Sequence, residues 1–180
     1  MGPLTIVLDD AGVGDLLGGV VIGAYRLETG EFAYDLVDVK FFQRPRFGSK
    51  QYLPEVSRIV FELLEKLQRK RGETIRICRS YVFEQAYRKL KEKYGLDVVE
   101  LIKVVGKPQE YVETAYLDEL RNLGYNAIVK RETRRAKSFF HMMNWIKRDP
   151  SRWRLAKTGW PRLRNYRVFR TFPHGQRMQR

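Results

Sequence analysis

The feature that most constrains this chain is the run Leu4-Thr5-Ile6-Val7-Leu8-Asp9, rich in apolar and β-branched residues, which ends on the acidic pair Asp9-Asp10. A short run of this kind, followed by glycines, reads as a strand buried in a sheet. Aspartate favours turns, so the pair has a plain local explanation. Yet a carboxylate at the end of a buried strand loses hydration that a turn does not ask it to lose, which points to a cation or a chemical task there. Gly12, Gly14, Gly18 and Gly19 force the chain to loop next. The same glycines resemble a dinucleotide-binding loop, but that motif needs a helix directly after it. Here Val20-Val21-Ile22 follows, so the dinucleotide reading is set aside.

A second strand is expected over 20–27 and a third over 32–42, joined by Glu28-Thr29-Gly30-Glu31, with Gly30 free to take positive φ. Residues 43–50 form a loop broken by Pro45 and Gly48. The period then changes. Leu53, Val56, Val60, Leu63 and Leu67 recur at helical spacing, with Pro54 at the tolerated first turn and Gly72 as the stop, giving a helix over 53–70. Strands at 74–78 and 97–105 alternate with helices at 81–94, capped by Ser80, and at about 109–123. Residues 126–129 extend as a short strand or loop, a further helix covers about 132–147, and irregular chain follows Asp149-Pro150. The order is β-β-β-α-β-α-β-α. Right-handed crossovers make the later strands parallel. The expected architecture is therefore α/β: a mixed sheet, three antiparallel strands then two parallel, flanked by helices.

Charge divides the chain in two. Residues 130–180 carry sixteen Lys and Arg against two acids, Glu132 and Asp149, whereas residues 1–129 carry nineteen of each sign. The whole net charge of +14 thus lies in a C-terminal extension that also holds all three tryptophans, Trp145, Trp153 and Trp160. Cations interleaved with aromatics suit phosphate contact and base stacking, so RNA or DNA is the expected partner. An acidic protein partner is the alternative, and the tryptophans serve equally well to pin the extension to the body. The expected division is a body over 1–129 and a basic extension over 130–180. Candidate phosphate contacts are Arg134, Arg135, Lys137, Arg152, Arg154, Lys157, Arg162 and Arg164. No run of eighteen apolar residues occurs and the extension has no clean amphipathic period, so no membrane role is expected. One cysteine, Cys78, excludes an internal disulfide, and with two histidines it leaves no zinc cluster. A reducing, cytoplasmic setting without a signal peptide is the expectation, and the abundance of Lys, Arg and Glu hints at a thermophilic source.

The element order over roughly 4–123 resembles the ribonuclease H-like superfamily. Asp9-Asp10-Ala11-Gly12-Val13-Gly14, followed by Gly19-Val20-Val21, looks like the opening of type 2 ribonucleases H, whose Asp-Glu-Ala-Gly-Arg-Gly segment leads into a Gly-x-Val-Val strand. Asp10 keeps a carboxylate where that family has Glu, and Val13 replaces its Arg. The later elements look more like type 1 ribonucleases H. Glu55 matches the helical Glu. Ile77-Cys78-Arg79-Ser80-Tyr81-Val82 resembles the strand-end segment Asp-Ser-x-Tyr-Val, with Arg79 taking the place of the catalytic Asp. Tyr116-Leu117-Asp118-Glu119-Leu120 resembles the segment with the final acid, which makes Asp118 the first match and Glu113 the second.

The resemblance implies a metal-dependent nuclease in which Asp9, Asp10, Glu55 and Asp118 ligate Mg²⁺ or Mn²⁺, leaving 5′-phosphate and 3′-hydroxyl ends. Two such ions about 4 Å apart need several hard oxygen ligands. A guanidinium at position 79 opposes them if it points inward. Either Arg79 is an ion-pair partner of Asp9 or Asp10 and the protein is a nucleic-acid-binding relative with its catalytic centre lost, or it points away and Glu84 supplies an oxygen. Plainer roles exist for the helical acids: Glu55 favours the helix dipole, and Asp118 sits on a solvated face. His141, among Phe139, Phe140 and Met142-Met143, reads as packing or partner contact.

Overall fold

The computed structural model describes residues 4–128 and 135–170. One five-stranded sheet organises them, in the order β3-β2-β1-β4-β5. Strand β1, Thr5–Ala11, lies at its centre. It pairs antiparallel with β2, Val20–Arg26, which pairs antiparallel with β3, Phe32–Val37. On its other side β1 runs parallel to β4, Thr74–Cys78, and β4 parallel to β5, Val99–Ile102. The three-plus-two mixed sheet expected from the element order is what forms. Strand β3 stops at Val37, earlier than its apolar content suggests, because Asp38 caps a 3₁₀ turn over Val39–Phe42.

Side-chain alternation gives the sheet two apolar faces. Ile6, Leu8, Ile22, Ala24, Ile75 and Ile77 share one core with helix α1, Tyr52–Lys66, and helix α2, Glu84–Tyr94. Helix α3, Lys107–Asn122, covers the opposite face through Val112, Ala115, Tyr116 and Leu120. It can come close because β2 offers Gly23 beneath it: a Cβ there would lie 2.4 Å from Val112 Cγ2. Ser80 precedes α2 but makes no capping hydrogen bond; its hydroxyl is directed elsewhere, as described below.

The helix expected before Asp149-Pro150 forms, and among the described residues the chain after it is not irregular but runs in short helical turns. Helix α4, Arg135–Lys147, is followed by 3₁₀ turns over Pro150–Leu155 and Pro161–Asn165 and by a final turn, α5, over Arg167–Arg170. Met142, Ile146, Trp153, Ala156, Leu163 and Phe169 are buried in the same core as Leu16, Leu17, Val21 and α3. Backbone bonds stitch the segment to the loop after β1: Gly18 N–H to Leu155 O at 2.9 Å and Lys157 N–H to Leu16 O at 2.8 Å. Gln43 Nε2 donates to the carbonyls of Arg154 and Ala156, both at 2.9 Å. The loop that leaves the end of β1 is therefore clamped by a segment well over a hundred residues away in sequence. Residues 126–128 form no strand. Among the described residues no helix is long and apolar enough to cross a membrane.

Candidate metal centre

Because β1 and β4 are parallel and central, their C-terminal ends meet at one edge of the sheet, and the residues that finish them face each other. Leu8 pairs with Ile77, so the next positions along the two strands are Asp9 and Cys78. Alternation turns Leu8 and Ile77 into the α1–α2 core, and Cys78, half-buried where β4 ends, packs against the margin of that core beside Asp9. Asp9 is 95 % removed from solvent, at 5 % exposure, and Cys78 and Asp10 are half-buried. A donor atom from each of Asp9, Asp10 and Cys78 lies within 4.8 Å of the others.

The electrostatics are those of carboxylates crowded without a cation. Burial pushes Asp9 above the ordinary carboxylate range, and the charge of Glu113 on α3 adds to this. The Cys78 thiol, donating to the Asp9 carboxylate, and the Asp10 N–H work against it. Burial and the neighbouring Asp9 raise Asp10 to about 7, opposed by a hydrogen bond from the Ser80 hydroxyl. Burial and the two acids push the Cys78 thiol up to about 12. No lysine or arginine among the described residues contributes to holding either aspartate ionised. A divalent ion would relieve this arrangement directly, and two carboxylates with a sulfur form a donor set such an ion accepts.

Of the residues singled out in the sequence, Asp9 and Asp10 come together; Glu55 and Asp118 do not join them. Glu55 is bound by Arg58, with Arg58 Nη2 donating to Glu55 Oε1 at 2.7 Å. Asp118 is exposed near the C-terminal end of α3 and paired with Arg121 at 2.5 Å. One and a half turns earlier on α3, Glu113 is the helical acid whose charge reaches Asp9, because α3 crosses β1 and β2 on its way along the sheet. Glu84 acts on Tyr52 rather than on the aspartates.

Arg79 is outside the cluster. It is exposed, and its Nη2 lies 3.5 Å from the Leu101 carbonyl on β5. Counting Asp-Ser-x-Tyr-Val back from Tyr81-Val82 reaches Cys78, and strand alternation forbids Arg79 from sharing its face. That spacing carries the signal for position 78, although a lone cysteine has no motif of its own.

The basic residues separate as well. Lys137, Arg154, Arg162 and Arg164 are exposed. Arg152 is half-buried, stacked 4.0 Å from the Trp145 ring and donating to the Trp145 carbonyl at 2.8 Å. Lys157 is fully buried and cannot contact nucleic acid: its ammonium donates to the carbonyls of Asp15 at 3.0 Å and Leu17 at 2.9 Å. Arg134 and the side chain of Arg135 lie outside the described residues. His141 is exposed, and its Nδ1 is 2.6 Å from the Tyr125 hydroxyl.

No family model and no curated protein matches the chain. Solved structures do. A mutant of Bst-RNase HIII superposes with a TM-score of 0.61 at 14% identity, over 94% of this chain and 70% of that one. Bst-RNase HIII in complex with Mn²⁺ superposes with a TM-score of 0.52 at 14% identity, over 86% of this chain and 65% of that one. At this identity the likeness is one of architecture. It agrees with the strand order, the parallel and antiparallel pairings and the flanking helices: the chain has the ribonuclease H-like fold.

Proposed function

We propose that this protein is a metal-dependent nuclease that hydrolyses phosphodiester bonds in RNA, RNA–DNA hybrid or structured DNA. The observation that carries the proposal is the meeting of Asp9, Asp10 and Cys78 at the ends of the two central parallel strands. The fold supports it, as does the Mn²⁺ complex of a structural neighbour. Asp9 and Asp10 would hold the ion, and Glu113 approaches from α3. A bound Mg²⁺ or Mn²⁺ would supply a nucleophilic water at neutral pH and neutralise charge developing on the phosphate. The chain's own contribution is to fix those donors on rigid strand ends and to exclude water from Asp9. Lys137, Arg154, Arg162 and Arg164 would bind the phosphate backbone, so affinity should fall with salt at a log–log slope of about −0.7 to −0.9 per phosphate contacted.

The test is cleavage of single-stranded RNA, RNA–DNA hybrid, duplex DNA and branched DNA in Mg²⁺ and in Mn²⁺, by the wild type and by Asp9→Asn. Metal-dependent cleavage lost in the variant is the expected result. Cleavage unchanged by the substitution, or none by the wild type on any substrate, overturns the proposal. Cys78 in an acid's place favours a second reading, a nucleic-acid-binding protein on the same fold with its catalysis lost. That protein would bind in a salt-sensitive manner and show no dependence on divalent ions.

A further inference from the structure

We propose that Cys78 makes this centre a mixed oxygen–sulfur site that takes a thiophilic divalent ion, such as Co²⁺ or Zn²⁺, in preference to Mg²⁺. The inference rests on the reading of Asp9 and Asp10 as metal ligands and names the class of ion they would hold. Sheet register carries it. Leu8 and Ile77 are paired, so Cys78 is set beside Asp9 by the backbone and not by a chance rotamer. The sulfur lies within 4.8 Å of donor oxygens of both aspartates, and its thiol is hydrogen-bonded to Asp9. Asp9 and Asp10 would hold such an ion, and Cys78 would offer it sulfur as a third protein donor.

Mg²⁺ demands near-ideal octahedral oxygen ligation and sheds water reluctantly. Thiolate instead favours softer ions, and imidazole or carboxylate beside it does not prevent their binding. On ligation the S–H bond breaks, the sulfur keeps the electron pair that binds the metal, and the proton passes to solvent. Cys78 is half-buried, so ion and proton have a path. In a purely structural role, Cys78 would be a small side chain filling space and donating to Asp9. That role makes no metal–sulfur bond, and this difference can be read spectroscopically.

Cys78 is the only cysteine in the chain, so a thiolate signal reports on it alone. The experiment is a Co²⁺ titration of the full chain, followed in the near ultraviolet for thiolate-to-cobalt charge transfer, with Zn²⁺ and Mg²⁺ as competitors. The expected result is a band that saturates at one Co²⁺ per chain, is abolished by Zn²⁺ and survives an excess of Mg²⁺. Cys78→Ser should lose the band and weaken Zn²⁺ binding by roughly tenfold or more, the scale on which even outer partners of a metal act. Cys78→Asp should lose the band and let Mg²⁺ compete, and circular dichroism establishes that both variants are folded. Co²⁺ binding without the band, or Zn²⁺ binding unchanged in Cys78→Ser, overturns the role of sulfur and leaves the carboxylate site intact. Failure of the wild type to bind Co²⁺, Zn²⁺, Mn²⁺ and Mg²⁺ alike overturns both readings.

Discussion

Lys157 offers the sharpest quantitative test of how the extension is built into the fold. Its side chain is fully buried beneath the loop that leaves β1, where burial pulls the ammonium down to about 7 from an ordinary 10.5, against the attraction of Asp15. The sign follows from proton counting. Between about pH 7 and 10.5 the unfolded chain carries a proton on this lysine that the folded chain lacks, so stability rises with pH across that window and is flat below it. At about 1.36 kcal/mol per pH unit, the burial costs about 4–5 kcal/mol at pH 6.

Lys157→Met keeps an unbranched chain of similar length and removes the charge. The Leu17 carbonyl retains a partner in the Tyr116 hydroxyl at 3.0 Å, and the Asp15 carbonyl, on a half-buried residue, loses one hydrogen bond worth about 1 kcal/mol. The variant should therefore be more stable than wild type by about 3 kcal/mol at pH 6. That gain should shrink by about 1.4 kcal/mol per pH unit above 7 and be gone by about pH 9 to 10. Urea melts of both proteins at pH 6, 7.5 and 9 measure the difference, which cancels groups that titrate alike in the two. A gain that does not change with pH, or a variant less stable at pH 6, refutes the argument.

Three further outcomes are expected. Gly12→Ala places a Cβ 2.3 Å from the Tyr116 ring at a backbone φ of +91°, so overpacking and left-handed strain together should cost about 2–4 kcal/mol in thermal or urea unfolding; an unchanged melt would show that the loop is not held against α3. Trp153→Ala removes a buried ring that meets Phe169 edge-on at 5.1 Å and should cost about 3–5 kcal/mol, whereas a freely detachable extension would leave the melting temperature of the body unmoved. Asp10, raised to about 7, keeps in the folded state a proton that the unfolded chain releases near 4. Metal-free stability should thus fall between about pH 4 and 7, and Asp10→Asn should reduce that fall, leaving the part due to Asp9, as measured by urea melts in chelator.

The sheet was legible because both of its signals are local. β-branched runs punctuated by glycine mark β1 and β2, and a change from period 2 to period 3.6 marks α1. The acidic pair was legible for the same reason, being contiguous and placed at a strand end. The rest of the centre depends on distance through space. Whether Cys78 or Arg79 faces Asp9 is decided by the pairing of Leu8 with Ile77, a one-residue matter that flips every side chain. Whether Glu113 or Asp118 approaches is decided by where α3 crosses β1. Glu55 satisfies every local expectation for a helical acid, yet Arg58, one turn away, holds it.

The extension shows why composition misleads about location. Its positive charge suggested a segment that reaches out to nucleic acid, and its tryptophans suited either base stacking or attachment to the body; the charged and the buried apolar residues sit on different sides of it. Met142, Ile146, Trp153, Leu163 and Phe169 are buried in the core shared with α3 and the loop after β1, while Lys137, Arg154, Arg162 and Arg164 face solvent. A 3₁₀ turn produces this separation in few residues: in Pro161–Asn165, Leu163 is buried between two exposed arginines. Lys157 breaks the pattern because the loop it crosses presents two carbonyls that accept from its ammonium. Burial and positive charge are consequently carried by different residues of one segment. Arg162→Glu with Arg164→Glu should weaken nucleic-acid binding and flatten its salt dependence by roughly two phosphate contacts while leaving the urea melt in place. A loss of both together would mean that the charged and apolar sides are not separable, and that the basic surface is part of what holds the extension down.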